Sequence, residues 1–536
     1  MFRRLPATAV VLSVVALGVG TTVALSDTDP QPVDFTHNAA NAPAPVASAE
    51  WANGPNVKTG TAICSTSTQA TANVNTDCEE NGPHNETSIA VNPTNPQNMI
   101  GGANDYQLAL NPHGHLGETI LSTAHVTTDG GKTWAQYPVF SNQSYQATGD
   151  PALAFDATGH AYYGTLGFRF VGSSTATNPD VLVSNSADGG KTWNVVRVAA
   201  GSGVETSVGQ LLDKEYVAAW GSGNAIVTFG DFSNVQKGST VSANVYSSVT
   251  HDFGKTWSAP TLISGNLGES FVATPTVAAD GSVYASFLNT TDLSTGRDDY
   301  EVVKLDPSTG APLSSPVKVA TVIDGATDYP IAFGRQTYQD SLFRTWAAGD
   351  ITADPTNANH LAVVWSDMRN SVTPAPSDPY TAKTNSDVVV SESTDGGAHW
   401  TAPTAIALPG DQFMPWGAFD GSGKLRVGFF DRSYDAANHQ YGYTLATEAA
   451  PGAFATSPVT TALSDPTTND RWFAQTVNSA FPNATTFLGD YSNIAAVPGT
   501  TTGIVSYWTD MRVENCWPNG PGCGRHGEDA FFARTG

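Results

Sequence analysis

This sequence predicts an all-β fold, and three observations carry the prediction. An octapeptide of turn chemistry recurs four times, each copy after a short β-like run. From His84 onward, units that open on a polar residue and a short strand recur at spacings of 61 to 75 residues. Charged residues make up only 14%, beside 51 glycines and 33 prolines, the balance of a loop-rich chain of short strands.

The octapeptides are Thr127–Trp134, Ser186–Trp193, Thr250–Trp257 and Ser393–Trp400. All read (Ser or Thr)-x-Asp-x-Gly-x-x-Trp, with Asp129, Asp188, Asp252 and Asp395 at the acidic position. Runs such as Val181-Leu182-Val183 and Val388-Val389-Val390 precede them. The hydroxyl and the carboxylate accept backbone N–H groups, Gly supplies positive φ, and the chain reverses. The Trp (134, 193, 257 or 400) then anchors the return strand with a large apolar surface. Trp134, Trp193 and Trp257 stand 59 and 64 residues apart, and repeats of this period imply one closed β-propeller rather than several domains.

The octapeptide resembles the Asp box, or BNR repeat, of the sialidase-like β-propellers, and the resemblance spans residues 84–536. Blades of four strands are expected, and the boxes are read on the condition that they join strands three and four. The unit starts are Glu86, Asp150, Asp213, Thr274, Gly349, Pro415 and Gly489, so seven blades are expected, with six as the alternative. The fourth unit has Asp306–Gly310 in place of a box, and the sixth has none. The seventh unit ends at Asp529–Arg534 without an outer strand. A strand from about residues 51–75 is expected to complete that blade and close the ring, because an open edge invites aggregation.

Residues 1–26 read as a secretory signal: Arg3-Arg4, an apolar run over 7–17, then small residues around Ala24. The general export route fits better than the twin-arginine one, so a secreted, extracellular protein is expected. Residues 27–83 form a flexible lead rich in Ala, Pro, Asn, Thr and Ser, with one closing strand. The propeller occupies 84–536. Four cysteines in an oxidising compartment pair most simply as Cys64–Cys78 and Cys516–Cys523; their spacings match no zinc module. A formal net charge of −25 argues against nucleic acid or an anionic membrane as partner, and nothing after the signal reaches transmembrane length. A monomer is expected.

If the boxes lie on one face, the starts of strand one and the ends of strand two lie on the other. The starts bring Glu86, Asp150, Asp213, Asp350 and Asp490; the ends bring Asp105, Asp231, Asp367-Met368-Arg369, Asp431-Arg432 and Asp510-Met511-Arg512. Five carboxylates around one opening repel unless screened, protonated or bound to a cation, for which Ca²⁺ is the natural choice. The alternative, which is favoured, is that each caps its own strand or pairs with a neighbour, as Asp213 with Lys214. No cofactor is required. His84, His113 and His115 fall near the same face, but no metal-ligand spacing links them.

Sialidases hold a substrate carboxylate with three arginines, use a Tyr activated by Glu as nucleophile and an Asp as acid/base. The resemblance therefore implies substrate binding by Arg369, Arg432 and Arg512, which stand at equivalent positions in three successive units. It implies an acid/base among Asp105, Asp150 and Asp213, and a nucleophile among Tyr106, Tyr329, Tyr434 and Tyr491. The other reading of the arginines is a repeat-wide brace, each tied to the Asp one or two residues before it. The chain has no arginine between Arg4 and Arg169 and no Arg-Ile-Pro, where the family places its first binding arginine. Three functions therefore stand. One is an exo-glycosidase of the exo-α-sialidase type acting on terminal acidic sugars of glycans. The others are a non-catalytic propeller that binds carbohydrate or protein, and another polysaccharide-degrading enzyme on the same fold.

Overall fold

A computed structural model describes residues 64–67, 72–77 and 83–536 apart from 111–115, 140–144, 146, 172–174, 204–208, 234–241, 293–295, 326–327, 333–334, 340–342, 346, 372–382, 467–486 and 518–521. The expected signal segment and Cys78 lie outside the described residues, as do the side chains of Cys64, Cys516, Cys523 and Tyr106. Among the described residues no helix is long and apolar enough to cross a membrane.

The chain is a β-propeller of seven antiparallel blades, each with four consecutive hydrogen-bonded strands. The innermost strands are His84–Val91, Ala147–Phe155, Gln210–Trp220, Ser270–Val277, Asp350–Ala353, Gln412–Phe419 and Asn493–Ala496. They pack against one another in chain order, and the seventh packs against the first. The ring is closed as expected: Val74–Asn75 pairs antiparallel with Asp529–Thr535 and becomes the outer strand of blade 7. The lead contributes a second strand, Cys64–Ser67, which adds a fifth strand to the outer edge of blade 1.

All four octapeptides join strands three and four of their blades, at blades 1, 2, 3 and 5. Their chemistry is that expected from the residues. In blade 2, Asp188 Oδ1 accepts the Lys191 and Thr192 N–H groups at 3.1 and 2.9 Å, and its Oδ2 accepts the Thr192 hydroxyl at 2.6 Å. Ser186 Oγ accepts the Gly190 N–H at 3.0 Å. Gly190 has φ 95°, and a Cβ there would lie 2.6 Å from Ile100 of blade 1, so the turn also seats one blade against the next. Trp134 and Trp193 are buried behind their turns.

The inner strands carry a shared irregularity. In blades 1, 2, 3, 4 and 6 the pairing with strand two shifts register by a β-bulge. Each bulge holds a residue with positive φ: Glu86 (54°), Asp150 (58°), Lys214 (55°), Val272 (52°) and Met414 (49°). Blade 7 has Gly489 (92°) just before its inner strand. A bulge re-aims side chains that regular alternation would send elsewhere. Five non-glycine residues in this conformation around one axis mark a constrained centre.

Candidate functional site at the propeller axis

The expected geometry of faces holds, since strand-one starts lie against strand-two ends: His84 pairs with Asp105, Leu212 with Asp231 and Gln412 with Asp431. On this face charges from five parts of the chain meet, three of them carried by bulges. Lys214 Nζ lies 2.8 Å from Asp150 Oδ2, 2.7 Å from Asp490 Oδ2 and 3.6 Å from Glu86 Oε1. Arg344 grips both oxygens of Asp490 and reaches Glu86 Oε1 at 3.9 Å. It arrives from the connection between blades 4 and 5 and stacks over Phe487. Asn104 donates to Glu86 Oε2 at 2.6 Å, while its carbonyl takes the Asp150 N–H at 2.8 Å. Gly489 allows the approach of blade 7, because a Cβ there would sit 2.7 Å from the Glu86 nitrogen. The positive charge within the cluster thus comes from Lys214 and Arg344.

The ionisation states diverge. Burial opposes the Lys214 charge, but Asp150, Asp490 and Glu86 outweigh it and hold its pKa well above the usual lysine range. Burial would also raise Asp490, yet Arg344 and Lys214 prevail and keep it ionised, well below the usual carboxylate range. Glu86 and Glu215 go the other way. Burial raises both, and the neighbouring Asp150 adds to it. Neither oxygen of Glu215 has a hydrogen-bond partner, and Asp150 Oδ1 accepts none either. Tyr216 and Tyr491 flank the charges with ring centroids 5.6 Å apart, and Lys214 Nζ lies 5.7 Å from the Tyr491 ring. Along the axis from this cluster is a cavity of about 200 Å³ lined by Pro151, Tyr216, Asp350, Trp416 and Tyr491 among others.

The residues expected from sequence are distributed unevenly about this site. Asp150 and Tyr491 belong to it, and Asp213 adjoins it by accepting the Lys214 N–H at 2.8 Å. Asp105 stands apart, within blade 1, 3.3 Å from His84 Nε2. Asp350 is buried on the cavity wall and accepts the Gly417 N–H at 2.7 Å. Tyr329 meets Ser386, and Tyr434 meets Thr444.

The three arginines do not share a partner among their described contacts. Arg369 forks onto Asp367 at 2.8 and 2.6 Å, and Arg512 onto Asp510 at the same two distances. Both follow the brace reading. Arg432 departs from it: fully buried, it bonds Asp411 at 3.2 Å rather than Asp431, and lies over Phe343 at 5.0 Å. Sequence reasoning missed Glu215 and Arg344 at the centre, and named Lys214 only as a partner for Asp213.

No family model matches this chain, and neither does any curated protein. Solved structures do resemble it. An α-L-arabinofuranosidase from Fusarium graminearum is 12% identical, covering 88% of this chain and 98% of its own, with a TM-score of 0.43. An α-L-arabinanase from Penicillium chrysogenum is 11% identical over 86% of this chain and 98% of its own, with a TM-score of 0.42. A Hadza microbial sialidase is 10% identical over 88% and 95%, also with a TM-score of 0.42. These likenesses do not bear on the chemistry of the present axis.

Proposed function

We propose that this chain cleaves glycosidic bonds at the propeller axis. Glu215 is the proton donor in this reading, and Asp150 is the carboxylate that attacks the anomeric carbon or activates water. The observation that supports it is a buried Glu215 with neither oxygen hydrogen-bonded, its pKa raised by burial and by Asp150, beside a carboxylate whose Oδ2 is fixed on Lys214 and whose Oδ1 accepts no hydrogen bond. Glycoside hydrolysis needs two carboxyl groups in opposite protonation states. A buried polar group left without a partner in a native fold calls for an explanation, and proton transfer to a ligand is one. Lys214 orients Asp150, while Tyr216 and Tyr491 offer ring faces to a sugar. Arg369 and Arg512 are bound to their own aspartates and Arg432 to Asp411, so the proposal does not rest on an acidic sugar. Export by the segment 1–26, with glycans outside the cell as substrate, is part of the same reading.

One observation favours a second reading. Every charged member of the cluster is 6% exposed or less, as a structural hub in a non-catalytic binding propeller would be. The test is a panel of fluorogenic glycosides, including an α-sialoside and an α-L-arabinofuranoside, assayed with the wild type, Glu215→Gln and Asp150→Asn. Turnover of at least one substrate, lowered about 10²–10⁴-fold in folded variants, is the expected result. If no substrate is turned over but the chain binds a glycan array, the second reading holds instead.

A further inference from the structure

A second buried cluster lies where the ring closes, on the same inner strand of blade 1 that carries Glu86. Asp77 follows the closing strand Val74–Asn75, His84 opens the inner strand of blade 1, and His125 lies on its third strand, Leu116–Thr127. One ligand atom from each lies within 4.8 Å of the others, and all three side chains are 0% exposed. We infer that Asp77, His84 and His125 bind a divalent first-row transition metal, zinc by its ligand chemistry, and that this ion clips the closing strand to blade 1.

Three observations carry the inference. The first is spacing. His84 Nδ1 lies 3.3 Å from Asp77 Oδ2, and His125 Nδ1 lies 3.4 Å from Asp77 Oδ1. Charge-assisted hydrogen bonds between such groups run about 2.7–2.9 Å. Ligand atoms about 2.0–2.1 Å from a tetrahedral ion are separated by about 3.3 Å instead. His125 Nδ1 and Asp77 Oδ1 meet that spacing, while His84 Nδ1 faces the other oxygen of the same carboxylate.

The second is the set of groups behind the ligands. A metal-bound imidazole hands its other N–H to a carboxylate or similar acceptor. His84 Nε2 faces Asp105 Oδ1 at 3.3 Å. His125 Nε2 lies 3.2 Å from Thr123 Oγ1, whose hydroxyl donates to Asp105 Oδ2 at 3.3 Å. Asp105 therefore stands behind both rings, at ion-pair distance from His84 and linked to His125 through Thr123. The Gln136 amide nitrogen lies 3.1 Å from the same His125 nitrogen, and a flip of that amide would turn its oxygen to accept the imidazole proton.

The third is an unsatisfied atom. Asp77 Oδ2 takes the Ala530 N–H from blade 7 at 2.7 Å, but Oδ1 is buried and accepts no hydrogen bond. Thr76 Oγ1 is at hydrogen-bond distance from His125 Nδ1, 2.9 Å, and also bonds Tyr507 and Ala530, so a fourth ligand would come from outside these side chains. Two imidazoles and one carboxylate suit zinc or a neighbouring transition ion, whereas calcium takes an all-oxygen shell.

The competing arrangement is an ion-pair chain without metal. Burial opposes a charge on His84, but Asp77 and Asp105 push it up to about 10, so a protonated His84 could bridge the two carboxylates.

The experiment uses the full chain, purified without chelator, its metal content measured by plasma mass spectrometry. One zinc per chain is expected, with a melting temperature that falls after dialysis against a chelator and recovers with added Zn²⁺. Replacement by Co²⁺ should give the intense visible bands of a tetrahedral site. His125→Asn should lose the ion. Should that variant fail to fold, the wild-type measurements still decide. Metal-free protein whose melting temperature responds neither to chelator nor to Zn²⁺ would overturn the inference in favour of the ion-pair chain.

Discussion

Lys214 is the residue on which the axial charges depend. Its ammonium touches Asp150 and Asp490 and stands near Glu86, with 1% of its side chain exposed. Lys214→Met keeps the length and removes the charge, leaving these carboxylates facing one another in a low-dielectric interior. Breaking a buried pair in this way costs about 3–5 kcal/mol, so the urea midpoint should drop sharply. An unchanged midpoint would mean that water or ions already screen the site. His360 gives a pH-dependent counterpart at the opposite end of its blade. Its hydrogen bond to Glu392, with help from Asp354 and against burial, raises it to about 9. The unfolded value is about 6.5, so the added stability is complete below that pH and disappears as pH rises through about 9. The melting-temperature gap between wild type and His360→Gln should therefore be widest near pH 6 and close by pH 10. A gap that stays constant would show that the imidazole acts through packing against Phe419.

At the scale of single elements, the octapeptide turn should be worth more than an ordinary reverse turn. Asp188 accepts two backbone N–H groups and two hydroxyls, whereas Asp280 in blade 4 serves only Ser282. Asp188→Ala should cost about 2 kcal/mol, and Asp280→Ala clearly less. Equal effects in thermal melts would mean that the turn contributes register rather than stability. This chemistry was legible because every partner lies within a few residues of Asp188. The same locality made the Asp367–Arg369 and Asp510–Arg512 braces legible, two residues apart. It failed for Arg432, whose partner Asp411 lies 21 residues away on the approach to the inner strand of blade 6.

For the whole molecule, closure by the lead sets stability and solubility together. Val74 and Asn75 cover the edge of Asp529–Thr535, and Thr76 continues the ladder onto Ala530 at 2.9 Å. Removing residues 27–75 should lower the melting temperature and expose that edge, so light scattering should report concentration-dependent association. A monomeric truncation with an unchanged melting point would show that blade 7 is complete with three strands.

The sequence by itself determined the all-β class, the seven unit starts, the position of the turns and the need for a closing strand. Each rests on local chemistry or on a repeat period, and both are printed along the chain. Only the tertiary structure decided which charges meet. Glu86, Asp150, Lys214, Arg344 and Asp490 come from separate stretches, and no period links Arg344 to the rest. At blade 3 the bulge puts Lys214, not Asp213, at the position that Asp150 holds in blade 2. Asp77, His84 and His125 meet for a similar reason: the ring closes through the lead and brings Asp77 onto blade 1. Spacing along a chain encodes contacts within a strand or turn; contacts across a closed ring depend on how the blades are packed.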